Sequence, residues 1–355
     1  MSDAPSTSAT RAAGPDPAGS GPGGPHGSTG PHGSTPEAKI TSPQSKKKTV
    51  VRPGDRIFSS LASGSAVLIS VIIAAIAVFL VWRAVPALQR NTVNFLTSRE
   101  WVTQDIEAMA FGVLDLFQVT VLVSVFALVL AMPVALGIAI FLTSYCPARV
   151  KKTLAYVIDL LAAVPSIVYG LWGMLILAPF LRPVAEFLNT NLGWFPLFAT
   201  GSGSIVGGGT IFTAGIVLAV MILPTIAAVS REVFVQTPTA HIEAALALGA
   251  TRWEVVKTTV IPFGKSGYVS GSMLGLGRAL GETMALYLIL RTTSDAFSWS
   301  LFDGGATIAS KIALGYAEFN NNIQAGAYIA AGLVLFVLTF VVNAAARMIV
   351  AGKKD

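Results

Sequence analysis

Cysteine, histidine and charge are all scarce in this sequence. The single cysteine, Cys146, excludes a disulfide within the chain and any thiolate metal cluster. With only His26, His32 and His241 available, a zinc enzyme or a histidine-based triad would have to be built from almost nothing. Charged residues make up 12%, whereas a soluble domain carries roughly 25%. So few charges cannot cover a water-facing surface for 355 residues, 53% of which are hydrophobic. The composition is that of an integral membrane protein, and the long apolar stretches described next make the expected fold all-α.

What is present falls into a clear order. The first 45 or so residues are mainly Gly, Pro, Ser and Thr with almost no large apolar side chain, the tail as a whole extends over 1–55, and a hexad is written twice, at 24–29 and 30–35. Such a segment cannot bury enough apolar surface to offset its ordering entropy, so it reads as a disordered cytoplasmic tail. His26 and His32 are six apart, but a low-complexity tail explains them better than a metal site. Six apolar stretches then follow, at 57–82, 113–143, 160–181, 211–230, 267–290 and 323–349. Each approaches the ~20 residues that a bilayer crossing needs. The first has a long core and no Ala-x-Ala after Trp82, so it reads as a true span and not as a signal segment. Residues 56–110 form this first span and an outer loop, and 111–350 form the core.

The basic residues orient these spans. Seventeen Lys and Arg fall in the N-terminal tail, in the loops after the second and fourth spans, and at the C-terminus; six fall on the opposite side. Both termini and the loop 231–266 are therefore expected in the cytoplasm of a multi-pass plasma (inner) membrane protein. The net charge of +6 follows from this topology, so no nucleic-acid partner is needed to explain it. Pro133, Pro165 and Pro224 lie within spans on this reading. Each removes a backbone hydrogen bond, which is tolerated where protein or a water-filled cavity satisfies the freed group. That points to a bundle around a pathway.

The loop 231–266 holds the most specific local pattern. Glu243-Ala244-Ala245 is followed by Gly249 and, thirteen positions further, by Pro262. The spacing predicts a short helix from about Thr239, stopped by a glycine with positive φ, then a second amphipathic segment around 253–259. Pro262 then starts the next span. The pattern resembles the EAA loop of ABC importer permeases, with Thr259 and Ile261 departing from the usual residues. The resemblance implies that the helix docks on a separate ATPase. A surface-lying amphipathic helix is the plainer alternative, but it predicts neither the Gly nor the Pro offset. Gly264-Lys265-Ser266 is not a phosphate-binding loop, because Thr259 stands where that motif needs glycine. Gly275, Gly277 and Gly281 follow no strand and make no dinucleotide fingerprint.

In the fifth span, Gly267, Gly271, Gly275 and Ala279 recur every fourth residue, a stripe that lets membrane helices approach closely. On a continuous helix at ~100° per residue the stripe sweeps from 0° to ~120°, with Arg278 at ~20° and Glu282 at ~60°. Both charges then face protein, where they act either as a structural i, i+4 pair or as contacts on a transport path. The run 274–285, with Val164-Pro165-Ser166 and the following residues to Gly173, resembles the phosphate-specific ABC transporter permeases of the PstC type over about 111–347. Leu290-Arg291 departs from that family's usual Gly-Asn.

The resemblance implies a six-helix polytopic bundle of the type I ABC importer permease kind. It implies a path for inorganic phosphate past Arg278, Glu282, Thr283 and Ser166. ATPase coupling falls to Glu243, Ala244, Ala245, Gly249 and Pro262. A guanidinium fork suits phosphate oxygens, and the proton that phosphate retains near neutral pH would find an acceptor in Glu282. Implied partners are a second homologous permease chain, two cytoplasmic ATPase subunits, an extracytoplasmic phosphate-binding protein and membrane lipids. No cofactor is expected in this chain, with ATP and Mg on the ATPase, and no catalytic or metal site. Import of molybdate or sulfate remains an alternative, as does a transporter driven by an ion gradient.

Overall fold

The computed structural model describes residues 53–105, 107–201, 208–292, 297–316, 319 and 321–351. Of the expected disordered tail, residues 1–52 lie outside these residues, whereas 53–55 open a helix; of the glycine-rich stretch 201–209, residues 202–207 lie outside. In chain order the helices are α1 (Pro53–Arg90), α2 (Leu114–Ile140), α3 (Ala148–Ala162), α4 (Ser166–Trp172), α5 (Ala178–Leu192) and α6 (Ile211–Val235). Next come α7 (Thr239–Ala247), α8 (Arg252–Val255), α9 (Ile261–Leu280), α10 (Met284–Ile289), α11 (Ile308–Gly315) and α12 (Asn322–Ala351). One short antiparallel pair, β1 (Trp101–Val102) with β2 (Ala110–Phe111), lies between α1 and α2, with Trp101 opposite Phe111. The chain divides into two compact units, Met1–Ser59 and Ser60–Asp355.

Five helical stretches among the described residues are long and apolar enough to cross a bilayer: Arg56–Arg90, Leu114–Tyr145, Ser166–Leu192, Ile211–Val235 and Asn322–Met348. A span must satisfy its backbone polar groups internally, which is why Val- and Ile-rich sequences are helical here despite their β preference. π-helical turns are built into two of the five, Phe141–Tyr145 at the end of α2 and Gly173–Leu177 between α4 and α5.

Two expectations need correction. The third span does not begin at residue 160, because α3 is a separate helix with no buried residue and Pro165 stands at the N-cap of α4. Proline disfavours helical backbone at the residue before it, so the chain breaks there and the crossing shifts to Ser166–Leu192. The fifth span is likewise no single helix over 267–290. It begins at Ile261, ends at Leu280, and restarts as α10 after Gly281-Glu282-Thr283.

α6 is the centre of the main unit. Fifteen of its residues are buried, and α2 and α9 both pack against it and against each other, with the Tyr268 hydroxyl of α9 donating to Met132 O of α2. Gly215 gives room for the Phe126 ring of α2, since a Cβ there would collide with it. The predicted stripe on α9 meets α6 as expected: Gly267 faces Val233, Gly271 faces Val229 and Gly275 faces Ile226. A Cβ on Gly275 would stand 2.7 Å from Ile226 Cγ1, so only a residue without one permits this helix separation. α4 lies against α10 by the same means, with a Cβ on Gly170 falling 2.9 Å from Ala285 Cα. These two contacts set the backbone of α9 and α10 relative to α6 and α4, and so position the residues between them.

Candidate functional site

Arg278 occupies the last turn of α9, and the tight α9–α6 packing carries its side chain to α6. Its Nη1 donates to Thr225 Oγ1 at 3.2 Å. Both residues are half-buried. Tyr169 of α4 is buried nearby and within electrostatic range of the Arg278 guanidinium. Its own hydroxyl donates to the Leu161 carbonyl at 2.9 Å.

Glu282 goes elsewhere. The helix ends at Leu280, so Glu282 leaves the wheel position that a continuous helix would give it. Its side chain is 8% exposed, and Oε1 accepts from the Ala285 N–H at 3.0 Å. The carboxylate thus satisfies one of the unpaired donors at the start of α10, where the helix dipole favours negative charge. Among the described residues no ion pair joins Arg278 to Glu282. The break separates the two charges that sequence spacing brings together.

Thr283 is the N-cap of α10, and its hydroxyl donates to the Gly281 carbonyl at 3.1 Å. Ser166 opens α4, half-buried, on the helix that packs against α10. The structure therefore gathers Arg278, Glu282 and Thr283 at one helix break, with α4 beside it. Thr225 and Tyr169 complete the surroundings and were not singled out from sequence. Pro224 was the available signal for Thr225, because a proline inside α6 leaves one backbone acceptor without its usual helical donor beside that residue.

The loop 231–266 is a second constellation. α7 runs Thr239–Ala247 with no buried residue; Glu243 and Ala244 are exposed and Ala245 is half-buried. Gly249 has φ +85°. Its N–H donates to Leu246 O at 2.9 Å, and the Ala250 N–H to Ala245 O at 3.2 Å. That paired closure is the Schellman stop expected of a glycine after a helix. Thr251 then caps α8 with a reciprocal pair of bonds to Glu254. The Thr251 N–H and hydroxyl both donate to the Glu254 carboxylate, holding it below the ordinary value of 4.5.

A π-helical turn, Val256–Val260, continues into α9, and Pro262 sits exposed in the first turn of that helix. The helical run is unbroken from Arg252 to Leu280, so Pro262 leaves one backbone acceptor of the preceding turn without its usual donor, and the wider π-helical turn just before it is where the ladder is altered. Val256 and Val260 are buried with Ile140 and Phe234, which anchors the turn to the ends of α2 and α6. α7 itself stands over a cleft of ≈ 230 Å³ lined by Ile242, Leu246, Thr143, Ser144, Val256 and others. Leu248 is 89% and Trp253 55% exposed. This is an apolar surface carried by a thinly attached helix.

A family model described as "Binding-protein-dependent transport system inner membrane component" matches residues 131–355. The chain is similar to a "Phosphate transport system permease protein PstC 2" of Mycobacterium tuberculosis, at 58% identity over 88% of this chain and 99% of that protein. It is also similar to a "Phosphate transport system permease protein PstC" of Xylella fastidiosa, at 38% identity over 83% of this chain and 90% of that protein. Among solved structures it is similar to one titled "Inward facing conformations of the MetNI methionine ABC transporter", at 17% identity and TM-score 0.46, covering 67% of this chain and 94% of that one.

Proposed function

Because this chain belongs to the PstC-type phosphate permeases of the binding-protein-dependent inner membrane family, we propose that it forms part of the transmembrane path for inorganic phosphate in an ATP-driven importer, with Arg278 on that path and α7 as its link to a separate ATPase. The chain is a multi-pass membrane permease and not an enzyme. In the proposed assembly it pairs with a second permease chain, two cytoplasmic ATPase subunits that hold ATP and Mg, and an extracytoplasmic phosphate-binding protein. Both termini are cytoplasmic on this reading.

One observation carries the reading: a cationic side chain is placed at a break between two helices inside an apolar bundle. A charge there costs at least ~2.5–3.5 kcal/mol on the insertion scale, and among the described residues the guanidinium has one neutral hydrogen-bond partner to offset that cost. An anion passing the break would neutralise it transiently, which is what a transport contact requires. Glu282 supports the same break from the other side by holding the start of α10. Thr283 and Ser166 line the path on this reading.

Coupling runs through the exposed helix. Leu246, Leu248 and Trp253 supply the apolar surface for the ATPase, with Glu243 as an acceptor for its basic groups and Ala244 and Ala245 permitting close approach. Motion of α7 passes through α8 and the Val256–Val260 turn into α9, whose far end bears Arg278. Gly249 and Pro262 define the two ends of this lever.

The test is uptake of labelled phosphate by the assembled complex carrying Arg278→Ala. The expected result is loss of uptake with subunit composition unchanged, while wild-type uptake is not competed by molybdate or sulfate. Full uptake by Arg278→Ala would refute the assignment. Strong competition by sulfate or molybdate would reassign the cargo.

A further inference from the structure

Hydroxyl groups inside this bundle usually spend their proton on their own helix. Thr120 donates to Leu116 O at 2.6 Å, Ser230 to Ile226 O at 2.6 Å and Ser272 to Tyr268 O at 2.9 Å, each four residues back. Thr225 differs. It accepts from Arg278 and, among the described residues, donates to nothing. Its carbonyl four residues back, on Met221, is left to the backbone ladder.

The consequence is a local surplus of donors. Arg278 carries five N–H groups and no acceptor, and one of the five is used by Thr225. The Thr225 O–H is unspent as well. Both residues are half-buried, and the neighbouring Tyr169 hydroxyl is already committed to Leu161 O. Half-buried donors without acceptors are unfavourable in an apolar bundle. The group that satisfies several neighbouring donors at once is an anion with several oxygens, and a hydrogen bond from a hydroxyl to such an anion is stronger than one between neutral groups.

We propose that Thr225 is a second substrate-binding residue, which orients the Arg278 guanidinium through its oxygen and donates its proton to the same tetrahedral oxyanion. The proposal rests on the reading of Arg278 as a transport contact. It adds that α6, the most buried span of the bundle, contributes to binding and is not only scaffold.

The experiment compares Thr225→Val and Thr225→Ser in the complete transport complex, reconstituted in lipid vesicles and supplied with labelled inorganic phosphate. Valine keeps the shape and removes the hydroxyl; serine keeps the hydroxyl. Losing one hydrogen bond to a charged ligand predicts a rise of about ten- to hundredfold in the KM for phosphate with Thr225→Val. The maximal rate should change far less, and Thr225→Ser should stay near the wild type. A wild-type KM in Thr225→Val overturns the proposal, and so does an equal loss in Thr225→Ser, which would place the effect in packing. Arg278→Ala is measured alongside. If it abolishes uptake while Thr225→Val is silent, only the Thr225 assignment falls; if it leaves uptake intact, the Arg278 reading fails and this one with it.

Discussion

Replacing Gly249 by valine tests the lever at its stop. The residue has φ +85° with no atom within 4 Å of where a Cβ would sit, so no packing effect obscures the result. The whole cost is backbone strain, roughly 1–2 kcal/mol for an ordinary L residue in the left-handed region and more for a β-branched one. A loss of 1.4 kcal/mol is a tenfold change in an equilibrium, so the capped form of α7 should fall by about ten- to thirtyfold relative to its alternatives. The closing bonds from Gly249 to Leu246 and from Ala250 to Ala245 would be the ones lost. Two assays read this. Hydrogen exchange at the amides of 249 and 250 should accelerate by a similar factor, and ATPase activity retained on the complex should uncouple from phosphate uptake. Asparagine tolerates left-handed backbone, so Gly249→Asn should fall between glycine and valine. If valine exchanges and couples as the wild type does, or if asparagine is as damaging as valine, then helix termination at Gly249 is not what the loop depends on.

Two further outcomes follow from the same geometry. Gly275→Leu should drive α9 away from Ile226, at a cost of about 1–3 kcal/mol from overpacking; the thermal midpoint of the detergent-solubilised complex should fall, and the Thr225–Arg278 contact should be lost with it. Glu254 should give α8 a pH dependence. Because its folded carboxylate titrates below 4.5, the charge is held better by the folded loop than by an unfolded one. The stabilisation is therefore complete above that value and lost as pH falls through the lower folded one. Exchange protection around 251–255, corrected for intrinsic rates, should drop in that acid range and become pH-independent in Glu254→Gln.

Particular elements show where sequence sufficed. The stripe from Gly267 to Ala279 faces α6 because a four-residue period of small side chains is a local property that needs no knowledge of the partner. Gly249 ends α7 with positive φ for a similar reason: a glycine after an alanine-rich helix has few other roles. The helix break at Gly281 was not legible, although the glycine was in plain view. Glycines at 271, 275, 277 and 281 look alike in sequence, and the one that follows the helix is the one beside Glu282, whose carboxylate accepts from Ala285 at the start of α10. Pro165 was misplaced for a related reason, since the apolar run continues across it without a change in composition.

Composition, apolar length and the Glu243–Pro262 spacing together determined that this chain crosses a membrane several times and carries a short helix stopped at Gly249, because hydrophobic burial and backbone satisfaction act on local stretches of sequence. Only the tertiary structure decided which partner each buried charge takes. Arg278 and Glu282 are four residues apart, yet one is held by Thr225, fifty-three positions away, and the other by the helix that follows it. Side-chain electrostatics at short range depend on how helices are placed in space, and no spacing along the chain contains that distance.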